Sequence, residues 1–150
     1  FTILGYDTTL LGQGMGREPD GIAKAVDDNY VIIWDAKVRS TGYSMGTDDR
    51  TIREYISNKS RELKRKGSIR NIYYMIISSN FTDDYDDSIR TLKMDTDVNE
   101  VILLEIEGLV AMVDAKLRDP IITTLGPDGI QRLFSTSGIL NSSVVREQLL

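Results

Sequence analysis

The chain has 150 residues, 41% of them hydrophobic, and a formal net charge of −5, which suits one ordinary core and a single domain spanning 1–150. It contains no Cys and no His, excluding disulfides, thiol nucleophiles, Ser-His-Asp triads and nearly all zinc sites, so any catalysis falls to Asp, Glu, Lys, Arg, Tyr or Ser/Thr. No stretch reaches the roughly eighteen apolar residues of a membrane span, so no membrane partner is expected, and the absence of cysteine fits a reducing cytoplasm.

Residues 1–5 read as the tail of a helix, and Gly12, Gly14 and Gly16 mark a connector. Strand signals follow at residues 21–26 and 30–38, joined by Asp27-Asp28-Asn29 as a hairpin turn. From Asp48 to Lys66 the residues Ile52, Tyr55, Ile56 and Leu63 recur at helical spacing, with Asp48 as the cap and Gly67 as the stop. The apolar run at residues 72–77 predicts a buried strand, parallel to its neighbour across the helical crossover. A polar loop leads to a short helix ending near Met94, then a buried strand at 98–104 and a helix from about Ile106 to Leu117 that stops at Pro120. Further helix signals follow Gly126-Pro127-Asp128 and Asn141-Ser142-Ser143. This order predicts an α/β (α+β) sandwich, a central mixed sheet flanked by helices on both faces.

Two acids and a lysine stand out against that frame. Asp20 follows Pro19 where the first predicted hairpin strand begins, and Asp35-Ala36-Lys37 ends the apolar run Val31-Ile32-Ile33-Trp34. Strand alternation puts Asp35 and Lys37 on one face and Trp34 and Ala36 on the other. Charge beside a core is costly unless it is paired or bound to metal. Metal-dependent phosphodiester cleavage is the leading reason for such a cluster. A divalent cation activates water and stabilises charge on the transferring phosphoryl group, and magnesium takes oxygen ligands while retaining water. Asp20, Asp35 and the carbonyl of Ala36 are the candidate metal ligands. Lys37 then stands at the attacking water, either as an electrostatic stabiliser or as a base of lowered pKa.

Plainer readings compete. Pro-Asp-Gly is usually a turn and Asp-Ala-Lys usually a solvated strand end, and both recur, as Pro127-Asp128-Gly129 and as Asp114-Ala115-Lys116 inside a predicted helix. Only the first pair combines an acid-x-lysine ending an apolar strand with a Pro-Asp one hairpin earlier. The acid-rich residues 83–87 lack the glycine and terminal glutamate of an EF-hand and read as a solvated loop capping a helix. Arg61, Lys64, Arg65 and Lys66 are candidates for phosphate contacts, although a helix C-terminus attracts cations anyway.

Glu18-Pro19-Asp20-Gly21, then Val31 to Lys37, then Ser40-Thr41-Gly42-Tyr43 resemble the cleavage domain of FokI-type type IIS restriction endonucleases, within the PD-(D/E)xK nuclease superfamily. The resemblance extends from Phe1 to about Leu117 and implies a restriction-endonuclease-like fold. It implies Asp20 and Asp35 as metal-binding acids, Lys37 as the catalytic lysine, and magnesium as cofactor with manganese as a substitute. It implies cleavage of double-stranded DNA with little sequence preference, directed by a separate recognition domain, and a transient homodimer or partner subunit. Asp49 and Arg53 match an acid and an arginine of the family's dimer interface; two-fold pairing could join them between copies, while an ordinary i,i+4 pair explains the same spacing. Arg39 and Lys93-Met94-Asp95 depart from the family pattern.

The acidic balance limits independent affinity for a polyanion. With Phe1 rather than Met at the start, the chain is expected to be a piece of a larger protein whose DNA-reading module lies upstream. The alternatives to double-strand cleavage are a strand-nicking module of the same fold and a noncatalytic dimerisation or docking domain.

Overall fold

The structure, a computed structural model, describes residues 1–11, 18–37, 49–67, 69–82, 85–135 and 138–150, with side chains in the first helix described from residue 52. Its strands are β1 (Asp7–Leu10), β2 (Gly21–Ala25), β3 (Tyr30–Lys37), β4 (Asn71–Ser78) and β5 (Glu100–Glu105). The helices are α1 (Asp49–Arg65), α2 (Asp86–Asp95), α3 (Ile106–Arg118), α4 (Pro127–Gln131) and α5 (Ser142–Leu149).

The five strands lie in chain order, β1-β2-β3-β4-β5. The pairs β1–β2 and β2–β3 are antiparallel, whereas β3–β4 and β4–β5 are parallel. Connection length accounts for the order from β2 onward: the tight turn from β2 to β3 can only reverse the chain, while α1 and α2 are long enough to return it for parallel pairing. In the β2–β3 turn Asn29 takes a positive φ of 56°, a conformation asparagine tolerates better than most residues. At the end of α1, Gly67 has φ 113°, the left-handed backbone that stops a helix at low steric cost.

Alternation divides the core between the two faces of the sheet. Val31 and Ile33 of β3 join Ile52, Tyr55, Ile56 and Leu63 of α1 and Leu92 of α2 on one face. Tyr30 and Ile32 join Ala111 and Met112 of α3, Ile130 of α4, and Val145 and Leu149 of α5 on the other. The predicted mixed sheet with helices on both faces is thus the observed architecture. Among the described residues no helix is long and apolar enough to cross a membrane.

One region differs from the sequence expectation. The predicted N-terminal helix tail is a 3-10 turn, Thr2–Leu4, and it leads into a strand, β1, that sequence pattern did not reveal. Asp-Thr-Thr-Leu has no apolar alternation and is largely exposed; its extended form is held by backbone pairing, Asp7 with Lys24 through Leu10 with Gly21. Within the segment after α3, Leu125, Ile130, Leu133 and Phe134 close the core on the α3 face. Pro127-Asp128-Gly129 opens α4, with the proline in its first turn, and Asp114 pairs with Arg118 along α3 at 3.0 Å. The two later copies of the motifs are therefore helix residues. The expected Asp48 cap and Ser40 to Tyr43 lie outside the described residues.

Candidate functional site

β3 is strongly strand-forming because Val31, Ile32 and Ile33 are β-branched and fully buried in the middle of the sheet. The same alternation that buries Val31 and Ile33 carries Asp35 onto the α1 face, where it is 2% exposed. Trp34 packs on the opposite face, its ring 5.8 Å from that of Phe1. Ala36 is exposed and Lys37 half-buried at the strand end.

The hairpin register brings the second acid to the first. Gly21 faces Trp34 across the β2–β3 ladder, so Asp20, one residue earlier, lies opposite Asp35. The Asp20 N–H donates to Asp35 Oδ1 at 3.0 Å, and the Ala36 N–H donates to Asp20 Oδ2 at 2.8 Å. The end of β1 contributes as well, since the Leu11 N–H donates to the Asp20 carbonyl at 2.9 Å. Lys37 is tied through its backbone: Ser78 Oγ, buried on β4, donates to the Lys37 carbonyl at 2.7 Å.

Asp35 Oδ2 also accepts hydrogen bonds from the hydroxyls of Tyr55 on α1 and Tyr74 on β4, the latter at 2.7 Å. The two hydroxyls are 3.2 Å apart. Burial pushes the Asp35 carboxyl above the usual carboxylate range, opposed by the two tyrosine donors, the Lys37 charge and the Asp20 N–H. Burial, reinforced by the neighbouring Asp35 charge, holds the Tyr74 hydroxyl well above the usual tyrosine value. Periodicity alone marks Tyr55 and Tyr74 as apolar positions and gives Ser78 no role. A signal existed, because a buried tyrosine hydroxyl needs a polar partner.

Asp20, Asp35 and Lys37 thus meet at one end of β2 and β3. Among the described residues no group of three or more Asp, Glu, His or Cys could hold a metal. A cation held here would draw on two carboxylates and a main-chain oxygen. The donors are hard oxygens, Asp20 Oδ1 has no protein hydrogen-bond donor among the described residues, and magnesium tolerates few protein ligands because it keeps its water.

The other candidates lie elsewhere. Arg53 Nη1 pairs with Asp95 Oδ2 of α2 at 3.0 Å, and its buried Nε has no hydrogen-bond partner among the described residues; the Asp49 side chain lies outside the described residues. Arg61, Lys64, Arg65 and Lys66 are exposed at the end of α1. That helix leads into Asn71, which pairs with Tyr30 at the start of β3, so the end of α1 that carries the basic cluster runs away from Asp35 toward the opposite end of that strand.

Solved structures share this architecture. A structure of restriction endonuclease FokI superposes with a TM-score of 0.70 at 22% identity, covering 93% of this chain and 26% of that one. A structure of FokI bound to DNA gives 0.63 at 20% identity, covering 92% of this chain and 25% of that one. The chain therefore spans about a quarter of the length of these relatives. No curated protein sequence matches it. The family model for the FokI cleavage domain matches residues 1–141, and on that match the chain belongs to the FokI cleavage-domain family.

Proposed function

We propose that the chain is the DNA-cleaving domain of a type IIS restriction endonuclease, hydrolysing phosphodiester bonds with magnesium and directed by a recognition domain elsewhere in the protein. The observation that carries this reading is the reciprocal bonding of Asp20 and the Asp35-Ala36 segment at the end of a buried strand in a chain of this family. Asp20, Asp35 and the Ala36 carbonyl would hold the cation, which supplies Lewis-acid stabilisation and a more acidic water. Lys37 stands beside them, close enough for its charge to lower the Asp35 pKa. Its ammonium would orient the attacking water and stabilise developing negative charge. Asp35, fixed by its tyrosine donors, would present its carboxylate without the reorganisation a mobile side chain requires.

The test is cleavage of supercoiled plasmid by the full-length enzyme in magnesium. Asp35→Ala and Lys37→Ala should each lose about a hundredfold or more of the rate, and chelation should abolish it. Undiminished cleavage by either variant would overturn the assignment. Pairing of two copies through α1 belongs to the same proposal. Because Arg53 already engages Asp95, an Asp49–Arg53 contact between copies must compete with a pair inside each chain. A linear product whose rate rises with the square of enzyme concentration supports pairing, whereas nicked circles that persist at high concentration indicate a nicking module.

A further inference from the structure

An ionised carboxylate offers about four acceptor sites, two on each oxygen. At Asp35 both tyrosine hydroxyls converge on Oδ2, one from α1 and one from β4, and the Asp20 N–H occupies one site on Oδ1. Among the described residues this leaves a single open acceptor site on Asp35, and it lies on the oxygen nearer Asp20. The tyrosines come from two separately packed elements, so the carboxylate cannot turn without breaking bonds to both. They are also buried, Tyr74 completely, so water does not compete for Oδ2.

We propose that Tyr55 and Tyr74 are positioning residues that make Asp35 a one-oxygen ligand, presenting Oδ1 alone to a divalent cation and so favouring magnesium or manganese over calcium. Calcium takes six to eight oxygens and commonly uses both oxygens of a carboxylate, whereas magnesium is smaller, near-octahedral and satisfied by one oxygen per carboxylate. A carboxylate whose second oxygen is already capped suits the smaller ion and penalises the larger. Hydrogen-bonded partners of metal ligands commonly set affinity in this way. The inference rests on the reading of Asp20 and Asp35 as a cation site.

The test measures binding rather than cleavage. Manganese chloride is titrated into the full-length protein without DNA, the free ion is followed by electron paramagnetic resonance, and calcium chloride is added as competitor. Asp20→Asn identifies the signal that belongs to this site. In Tyr55→Phe/Tyr74→Phe the affinity ratio of calcium to manganese should rise about tenfold, with each single variant in between. If the double variant fails to fold by circular dichroism, the singles carry the comparison. A purely structural role for the tyrosines would lower thermal stability and leave the ratio unchanged. Asp20-dependent manganese binding with an unchanged ratio therefore overturns the proposal and leaves the cation site standing. Absence of any Asp20-dependent binding in the unmutated protein overturns the cation site itself, and the proposal with it.

Discussion

Replacing Gly21 with alanine should damage the site without touching any of its functional groups. Gly21 faces Trp34 across the hairpin, and a Cβ there would lie 2.5 Å from Trp34 Cζ2 and 2.6 Å from Cε2. Carbon atoms in good contact are about 3.5–4.0 Å apart, so the overlap is on the order of 1 Å. The indole is rigid and backed by the Phe1 ring, so the strain falls on the spacing of β2 and β3. Overpacking of this kind costs about 1–3 kcal/mol, and in a chain of this size each kcal/mol lowers the melting temperature by about 2–4 °C. Asp20 immediately precedes Gly21 and bonds to β3 through both its N–H and its carboxylate. A shift of about 1 Å there should reduce kcat/KM roughly a hundredfold. Thermal melts and plasmid cleavage measure the two effects, and Trp34→Leu in the Gly21→Ala background should recover both in part by vacating the space. A Gly21→Ala protein that melts and cleaves like the parent, or one that Trp34→Leu does not relieve, would refute the reasoning.

The raised pKa of Asp35 has a definite consequence for stability. Between the unfolded value of about 3.9 and the raised folded value, the native state binds more protons than the unfolded one, so metal-free stability falls as pH rises through that window and levels off above it. Asp35→Asn should lack that slope and lose cleavage; a slope of the same size in the variant, measured by thermal melts across that pH window in EDTA, would contradict this account. At the other end of the chain, the Val144 N–H donates to Asn141 Oδ1 at 3.0 Å, capping α5. Asn141→Ala should cost about 1 kcal/mol, read as a shift in the urea midpoint, with kcat unchanged.

Sequence pattern by itself determined the elements whose cause is local. The apolar run ending in Asp35-Ala36-Lys37 reads as a central strand, the spacing of Ile52, Tyr55, Ile56 and Leu63 specified the buried face of α1, and the Pro-Asp and acid-x-lysine pair marked the candidate site. It also separated this pair from its copies at Asp114 and Pro127, which lack a strand and lie in helices. Tertiary structure alone decided the rest. Asp20 bonds to the Asp35-Ala36 segment because a particular antiparallel register faces Gly21 with Trp34. Tyr55 and Tyr74 reach Asp35 from 20 and 39 residues away, separations that no periodicity of a helix or strand encodes. β1 owes its extended form to the exposed edge of β2 rather than to its own side chains. The basic end of α1 is carried away from the acids by the direction in which the crossover helix must run. Each of these depends on backbone pairing or packing between elements distant in the chain, where energy is gained only after the chain has closed on itself.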